Sequence, residues 1–144
     1  GIKMITDGDV AGSLLAASPN TGVDVLMGIG GSPEGVISAT AIKCIGGTIQ
    51  CTLWPRNDTE RDLAIQAGLD LDKVLTEDDL VRSDNVFFAA TGITDGELLQ
   101  GVHYTADGAT TESLVMRSRS GTVRRVLATH RLRKLKEFAA VPFD

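Results

Sequence analysis

A carboxylate, glycines and a helix start come together in Met27-Gly28-Ile29-Gly30-Gly31-Ser32-Pro33-Glu34-Gly35-Val36. Gly28, Gly30 and Gly31 can take positive φ and keep side chains out of the way. Ser32 is predicted to cap a helix, and Pro33 suits its first position. Such a turn offers unpaired N–H groups and the positive end of a helix dipole to an anion. Glu34 adds a carboxylate in the first helical turn. One reading makes it a partner of the dipole. The other makes it a metal ligand, with the cation bridging Glu34 and a bound phosphate. The glycines likewise read as an anion cradle or as plain turn formers. Asp7-Gly8-Asp9 forms a second polar turn ahead of a helix, Val10 to Ala17. Its carboxylates could accept hydrogen bonds from sugar hydroxyls or hold a cation; the alternative is an N-cap at Asp9 plus a turn Asp.

Elements must bring these turns together. Ile2 to Thr6 and Val23 to Met27 are apolar runs that read as buried strands. Successive parallel strands place their following turns on one sheet edge, so Asp7-Gly8-Asp9 and the glycine turn are expected to face one pocket. Helical periodicity continues from Val36 to Ile45, and Gly46-Gly47 stops it. Thr48 to Trp54 reads as a strand, with Trp54 as core or pocket wall. Asp58 is predicted to cap a helix from Thr59 to about Ala67, with Gly68 as its stop. Thr76 should cap a short helix, Glu77 to Val81. Asn85 to Ala90 is a buried run leading into Thr91-Gly92-Ile93-Thr94-Asp95-Gly96, a third glycine-bearing turn. Leu98 to Tyr104 could form a strand. Thr110 to Arg119 and Thr122 to Thr129 alternate around Ser120-Gly121, which signals an antiparallel hairpin. Arg117, Arg119, Arg124 and Arg125 lie near its turn, as solvated charge, phosphate recognition or a subunit contact. His103 and His130 pair with no nucleophile. Arg131 to Phe138 is basic and amphipathic, suited to packing on the sheet as strand or helix.

Composition narrows the class. The chain has 144 residues, 42% of them hydrophobic, with a net charge of -5. That suits one domain with a sizeable core and argues against nucleic acid as a partner. No apolar run is long enough for a transmembrane helix, so no membrane partner is expected. Cys44 and Cys51 lack zinc-site spacing and read as core thiols. A reducing, cytoplasmic location fits. Gly1 to Ile5 enters a strand almost at once, so a preceding domain is expected.

Asp7-Gly8-Asp9-Val10-Ala11-Gly12, Gly28 to Val36, Ala89 to Gly96, Ser113 to Ser118 and Ser120 to Arg124 together resemble one family. They look like the C-terminal part of class II fructose-1,6-bisphosphatases, which in cyanobacteria also act as sedoheptulose-1,7-bisphosphatases. The resemblance runs from Ile2 to about His130. It implies that residues 1–144 are a single α/β domain, the C-terminal substrate- and metal-binding half of a longer enzyme. The fold it implies is the second domain of the sugar-phosphatase superfamily of inositol monophosphatases and fructose bisphosphatases. There, a mostly parallel sheet is flanked by helices, with a C-terminal antiparallel hairpin. Asp7, Gly8, Asp9 and Gly31 match positions that bind the sugar phosphate. Glu34 matches a glutamate that ligates Mg²⁺ or Mn²⁺ and serves catalysis. The implied reaction is hydrolysis of the C1 phosphate of fructose 1,6-bisphosphate, by a homo-oligomer (dimer or tetramer). The family's other metal carboxylates have no match here, so the isolated chain is expected to be inactive. Two rivals are a non-catalytic sugar-phosphate or nucleotide-binding module and a Rossmann-type dinucleotide domain. The second is weakened because Gly28 to Pro33 is not the G-x-G-x-x-G fingerprint.

Overall fold

A computed structural model describes residues 1–139. Helices α1 (Asp9–Ala17) and α2 (Ser32–Ile45) pack against each other and against one face of an antiparallel sheet. That sheet is built on the hairpin of β5 (Gly108–Arg117) and β6 (Thr122–Arg131), paired from Gly108 opposite Arg131 to Arg117 opposite Thr122. On the other edge of β5, β3 (Phe87–Thr91) pairs with residues 113–117 and β4 (His103–Tyr104) with residues 109–110. Gly121 turns the hairpin at φ 60°, a conformation that favours glycine.

Alternation on β5 turns Leu114 and Met116 inward, where they meet Leu14, Ala41, Cys44, Phe88 and Leu99. The small residues Ala39 and Ala41, fully buried on α2, permit close packing there. A second, two-stranded antiparallel sheet joins β1 (Gln50–Cys51) to β2 (Leu75–Thr76). Helix α3 (Asp58–Gln66) lies between its two strands in the chain, and the short α4 (Glu77–Leu80) packs against β2. Asn57 caps α3 by accepting from the Glu60 N–H, and Thr76 with Asp79 forms a capping box on α4. Lys43 ties α2 to α4. This half-buried residue donates from Nζ to the Val81 carbonyl at 2.8 Å and meets Asp78 at 2.7 Å. The hydrogen bond that Lys43 donates to Asp78 comes first among the causes that hold the Lys43 pKa above its usual value. The last helix, α5 (Leu132–Phe138), confirms the helical option for the basic C-terminal stretch.

The mostly parallel sheet does not form among the described residues, where every strand pair is antiparallel. Residues 2–6 and 23–27 lack a strand ladder, and Ile2, Met4, Val25 and Met27 are exposed. Each run touches α1 through one residue that itself stays partly exposed. Ile5 and Leu26 lie over Gly12 of α1, where a Cβ would stand 3.2 Å and 3.3 Å from their methyl groups. An apolar run forms a buried strand only where a neighbour completes its hydrogen bonds and layers cover its faces. No parallel pair, and so no βαβ unit, is present among the described residues, which counts against the Rossmann-type reading. The strand expected over residues 48–54 shrinks to Gln50–Cys51, and Trp54 is 68% exposed rather than core. Cys44 is a buried core thiol and Cys51 a half-buried one; neither is in a disulfide.

Candidate active site

The two polar turns do meet. Asp9 is the first residue of α1, and its carboxylate lies over Gly30 at the entry to α2. A Cβ built on Gly30 would stand 2.5 Å from Asp9 Oδ2. The Glu34 carboxylate folds back over Gly31, where a Cβ would overlap its Oε2 and stand 3.2 Å from its Cδ. Consecutive glycines thus carry two carboxylates from two helix starts. Each helix N-terminus contributes a positive partial charge of about half a unit, which favours an acid beside it.

Local chemistry differs from the sequence expectation at both helix starts. Gly8, not Asp9, occupies the N-cap of α1, in the left-handed region at φ 82°. The Asp9 side chain is therefore released from capping. Gly31, at φ -69°, is the N-cap of α2, so Ser32 and Pro33 each sit one position further in than expected. None of Gly28, Gly30 and Gly31 takes positive φ. Their lack of a side chain, not their backbone freedom, distinguishes Gly30 and Gly31.

Among the described residues, no hydrogen bond or ion pair engages the side chains of Asp7, Asp9 or Glu34. The N–H groups of Gly30, Gly31 and Ser32 also donate to no described residue. The site therefore combines free carboxylate oxygens with free backbone donors. Carboxylates can accept from sugar hydroxyls or ligate a hard divalent cation, and the amides can donate to phosphate oxygens. No group of three or more His, Cys, Asp or Glu suited to a metal ion is present among the described residues. Glu34 suits one coordination position rather than a whole cage.

Residues 1–130 match the family described as bacterial fructose-1,6-bisphosphatase, glpX-encoded. The chain belongs to this family. Among its relatives, the class 2 fructose-1,6-bisphosphatase of Haemophilus influenzae is 45% identical over 144 residues, covering 91% of this chain and 43% of the relative. Fructose-1,6-bisphosphatase 1 class 2 of Escherichia coli K12 is 45% identical over 141 residues, covering 89% and 42%. The chain thus spans less than half the length of these fructose-1,6-bisphosphatases. No helix among the described residues is long and apolar enough to cross a membrane.

The third glycine turn of the family resemblance is stabilised by contacts that sequence reasoning missed. His103, read as isolated, meets Asp95 at 2.6 Å, and the Gly101 N–H donates to the same carboxylate oxygen at 2.8 Å. The His103 hydrogen bond, chiefly, holds Asp95 below its usual pKa. Glu112 accepts from the Gln100 N–H at 2.7 Å and from Arg125 at 3.0 Å, and both contacts lower its pKa, the first more. The sequence signal was there, an acid eight residues from a histidine across a glycine-rich loop, but spacing alone does not bring the two ends together. Arg117 is a packing residue, with its guanidinium 4.9 Å from the Phe87 ring centroid and donating to Asn85 at 2.9 Å. A separate open groove of about 490 Å³, lined by Leu53, Leu69, Lys73, Asp79 and Arg82 among others, contains none of the site residues.

Proposed function

We propose that this chain is the C-terminal substrate- and metal-binding half of a longer enzyme that hydrolyses the C1 phosphate of fructose 1,6-bisphosphate. Sedoheptulose 1,7-bisphosphate, with the same phosphorylated end, is its second substrate. The observation that carries this reading is the placing of Asp9 and Glu34 on consecutive glycines at the start of α2, with their carboxylates free. In this reading Asp7 and Asp9 accept hydrogen bonds from the sugar. Gly8 and Gly31 let the sugar phosphate approach the backbone, and the free amides of residues 30–32 orient its oxygens. Glu34 holds one position of Mg²⁺ or Mn²⁺. When bound, such a cation neutralises phosphate charge and polarises the attacking water. The remaining metal carboxylates belong to the other half of the enzyme. The bare apolar side chains of Ile2, Met4, Val25 and Met27 suit burial against that half. The whole enzyme is proposed to be cytoplasmic and a homo-oligomer, dimer or tetramer.

Because no three-ligand cluster occurs among the described residues, a non-catalytic sugar-phosphate-binding module is the second reading. Comparing the 144-residue chain with the complete polypeptide on fructose 1,6-bisphosphate and Mn²⁺ decides. The proposal expects turnover on the order of 1–10³ per second from the complete polypeptide and none from the chain alone. Full turnover by the chain alone would contradict the half-site. Binding without turnover in the complete polypeptide would favour the module.

A further inference from the structure

We propose that Gly30 is a positioning residue for Asp9: by carrying no side chain it leaves the space in which the Asp9 carboxylate sits. The inference rests on the reading of Asp9 as a sugar-phosphate contact. The backbone does not require glycine at this position, because the positive-φ glycines of the described residues are Gly8, Gly22, Gly46, Gly68 and Gly121. Space does. A Cβ on Gly30 would stand 2.5 Å from Asp9 Oδ2 and 3.5 Å from its Cγ, with no other heavy atom outside its chain neighbours within 4 Å. So an alanine here meets one thing, the end of one flexible side chain. The cheapest response is rotation of the Asp9 carboxylate away from the α2 entry, with the fold kept. The Asp9 carboxylate has no hydrogen bond or ion pair to a described residue that would resist that rotation. Its orientation depends on the gap that residue 30 leaves.

The test compares wild type, Gly30→Ala, Asp9→Asn and the double variant in the complete enzyme. Equilibrium affinity for fructose 6-phosphate is measured by calorimetry, and Tm is measured alongside. A hydrogen bond to a charged group contributes roughly 10–100-fold in affinity. Asp9→Asn should therefore weaken binding by that order, and Gly30→Ala by about tenfold, with Tm within a degree or two of wild type. In the Asp9→Asn background, adding Gly30→Ala should weaken binding no further, because the substitution keeps the residue 30 N–H and its methyl group acts only through the carboxylate. A purely structural role would lower Tm and would add its loss in both backgrounds. If Asp9→Asn weakens binding but Gly30→Ala does not, the positioning role is overturned and the sugar-phosphate reading stands. A Gly30→Ala loss of the same size in both backgrounds also overturns it. If Asp9→Asn leaves binding unchanged, the reading of Asp9 fails and the positioning role fails with it.

Discussion

Gly30 and Gly31 stand against the ends of two carboxylate side chains, whereas Gly92, Gly101 and Gly108 stand against backbone. A Cβ on Gly92 would overlap the Gln100 carbonyl, and one on Gly108 the His130 carbonyl. On Gly101 it would stand 2.6 Å from the Thr94 carbonyl carbon. In the first region a new methyl group displaces a movable acid. In the second it must push strands or loops apart. Gly92, Gly101 and Gly108 thus serve close backbone approach at the sheet and in the loop beside it, and Gly30 and Gly31 make room for acids. Hydrogen bonding divides the regions in the same way. Around residues 92–112 the acids Asp95 and Glu112 each accept two hydrogen bonds, while at the helix starts the carboxylates of Asp7, Asp9 and Glu34 have no partner among the described residues. Buried polar groups that stabilise a fold are paired; in the proposed reading these three acids serve a ligand instead.

The largest effect that would break the contrast is on stability in the sheet region. Gly92→Ala should cost about 3 kcal/mol or more, because backbone atoms cannot yield as a carboxylate can. Thermal unfolding should show Tm falling by about 10 °C. A Tm near wild type would mean that the Gly92 contact is as soft as the Gly30 one. A smaller loss, about 1 kcal/mol, is expected for Arg117→Ala, which gives up its contact with the Phe87 ring and its hydrogen bond to Asn85. In the complete enzyme that variant should leave turnover unchanged, and a drop in turnover at constant Tm would move Arg117 into the chemistry. The mildest effect comes with acid. Asp79 is held down to about 2, chiefly by Lys73, and Asp95 and Glu112 are also lowered. Carboxylates with depressed folded-state values stabilise above their usual values, and that stability is lost as pH falls through the folded ones. Acidification from about pH 4 toward pH 2 should therefore loosen the α4 cap and the 95–112 contacts together. Amide hydrogen exchange followed against pH checks this. Uniform protection of Thr76, Gln100 and Gly101 across that range would contradict it.

Much of this arrangement was legible in the sequence because local chemistry sets it. The hairpin followed from alternation around Ser120-Gly121, and α2 from its periodic run closed by Gly46, which takes φ 94°. The meeting of Asp7-Gly8-Asp9 with the glycine turn was anticipated, although through a parallel sheet that does not form among the described residues. The α1–α2 packing brings the two helix starts together instead. Caps were harder to place. Asn57 and Asp58 are both good cap residues, and only the reach of one side chain to the Glu60 N–H decides between them. The apolar runs at residues 2–6 and 23–27 announced burial but not a neighbour. The role of Gly30 was not legible at all, since a glycine in sequence does not say whether its φ or its empty space is used.

The account turns on Glu34. If its free carboxylate over Gly31 ligates the divalent cation, then in the complete enzyme Glu34→Gln should raise the metal concentration needed for activity. Turnover should fall by a factor on the order of a hundred or more, about 3 kcal/mol of transition-state stabilisation. Loss of a dipole partner in the first helical turn would cost only about 0.3–1 kcal/mol of stability. The decisive measurement is the Mn²⁺ dependence of turnover for Glu34→Gln, with Tm recorded on the same protein. A steeply raised metal requirement with little change in Tm is the predicted result. An unchanged metal dependence with a slightly lower Tm would contradict it and leave Glu34 as a helix-dipole partner.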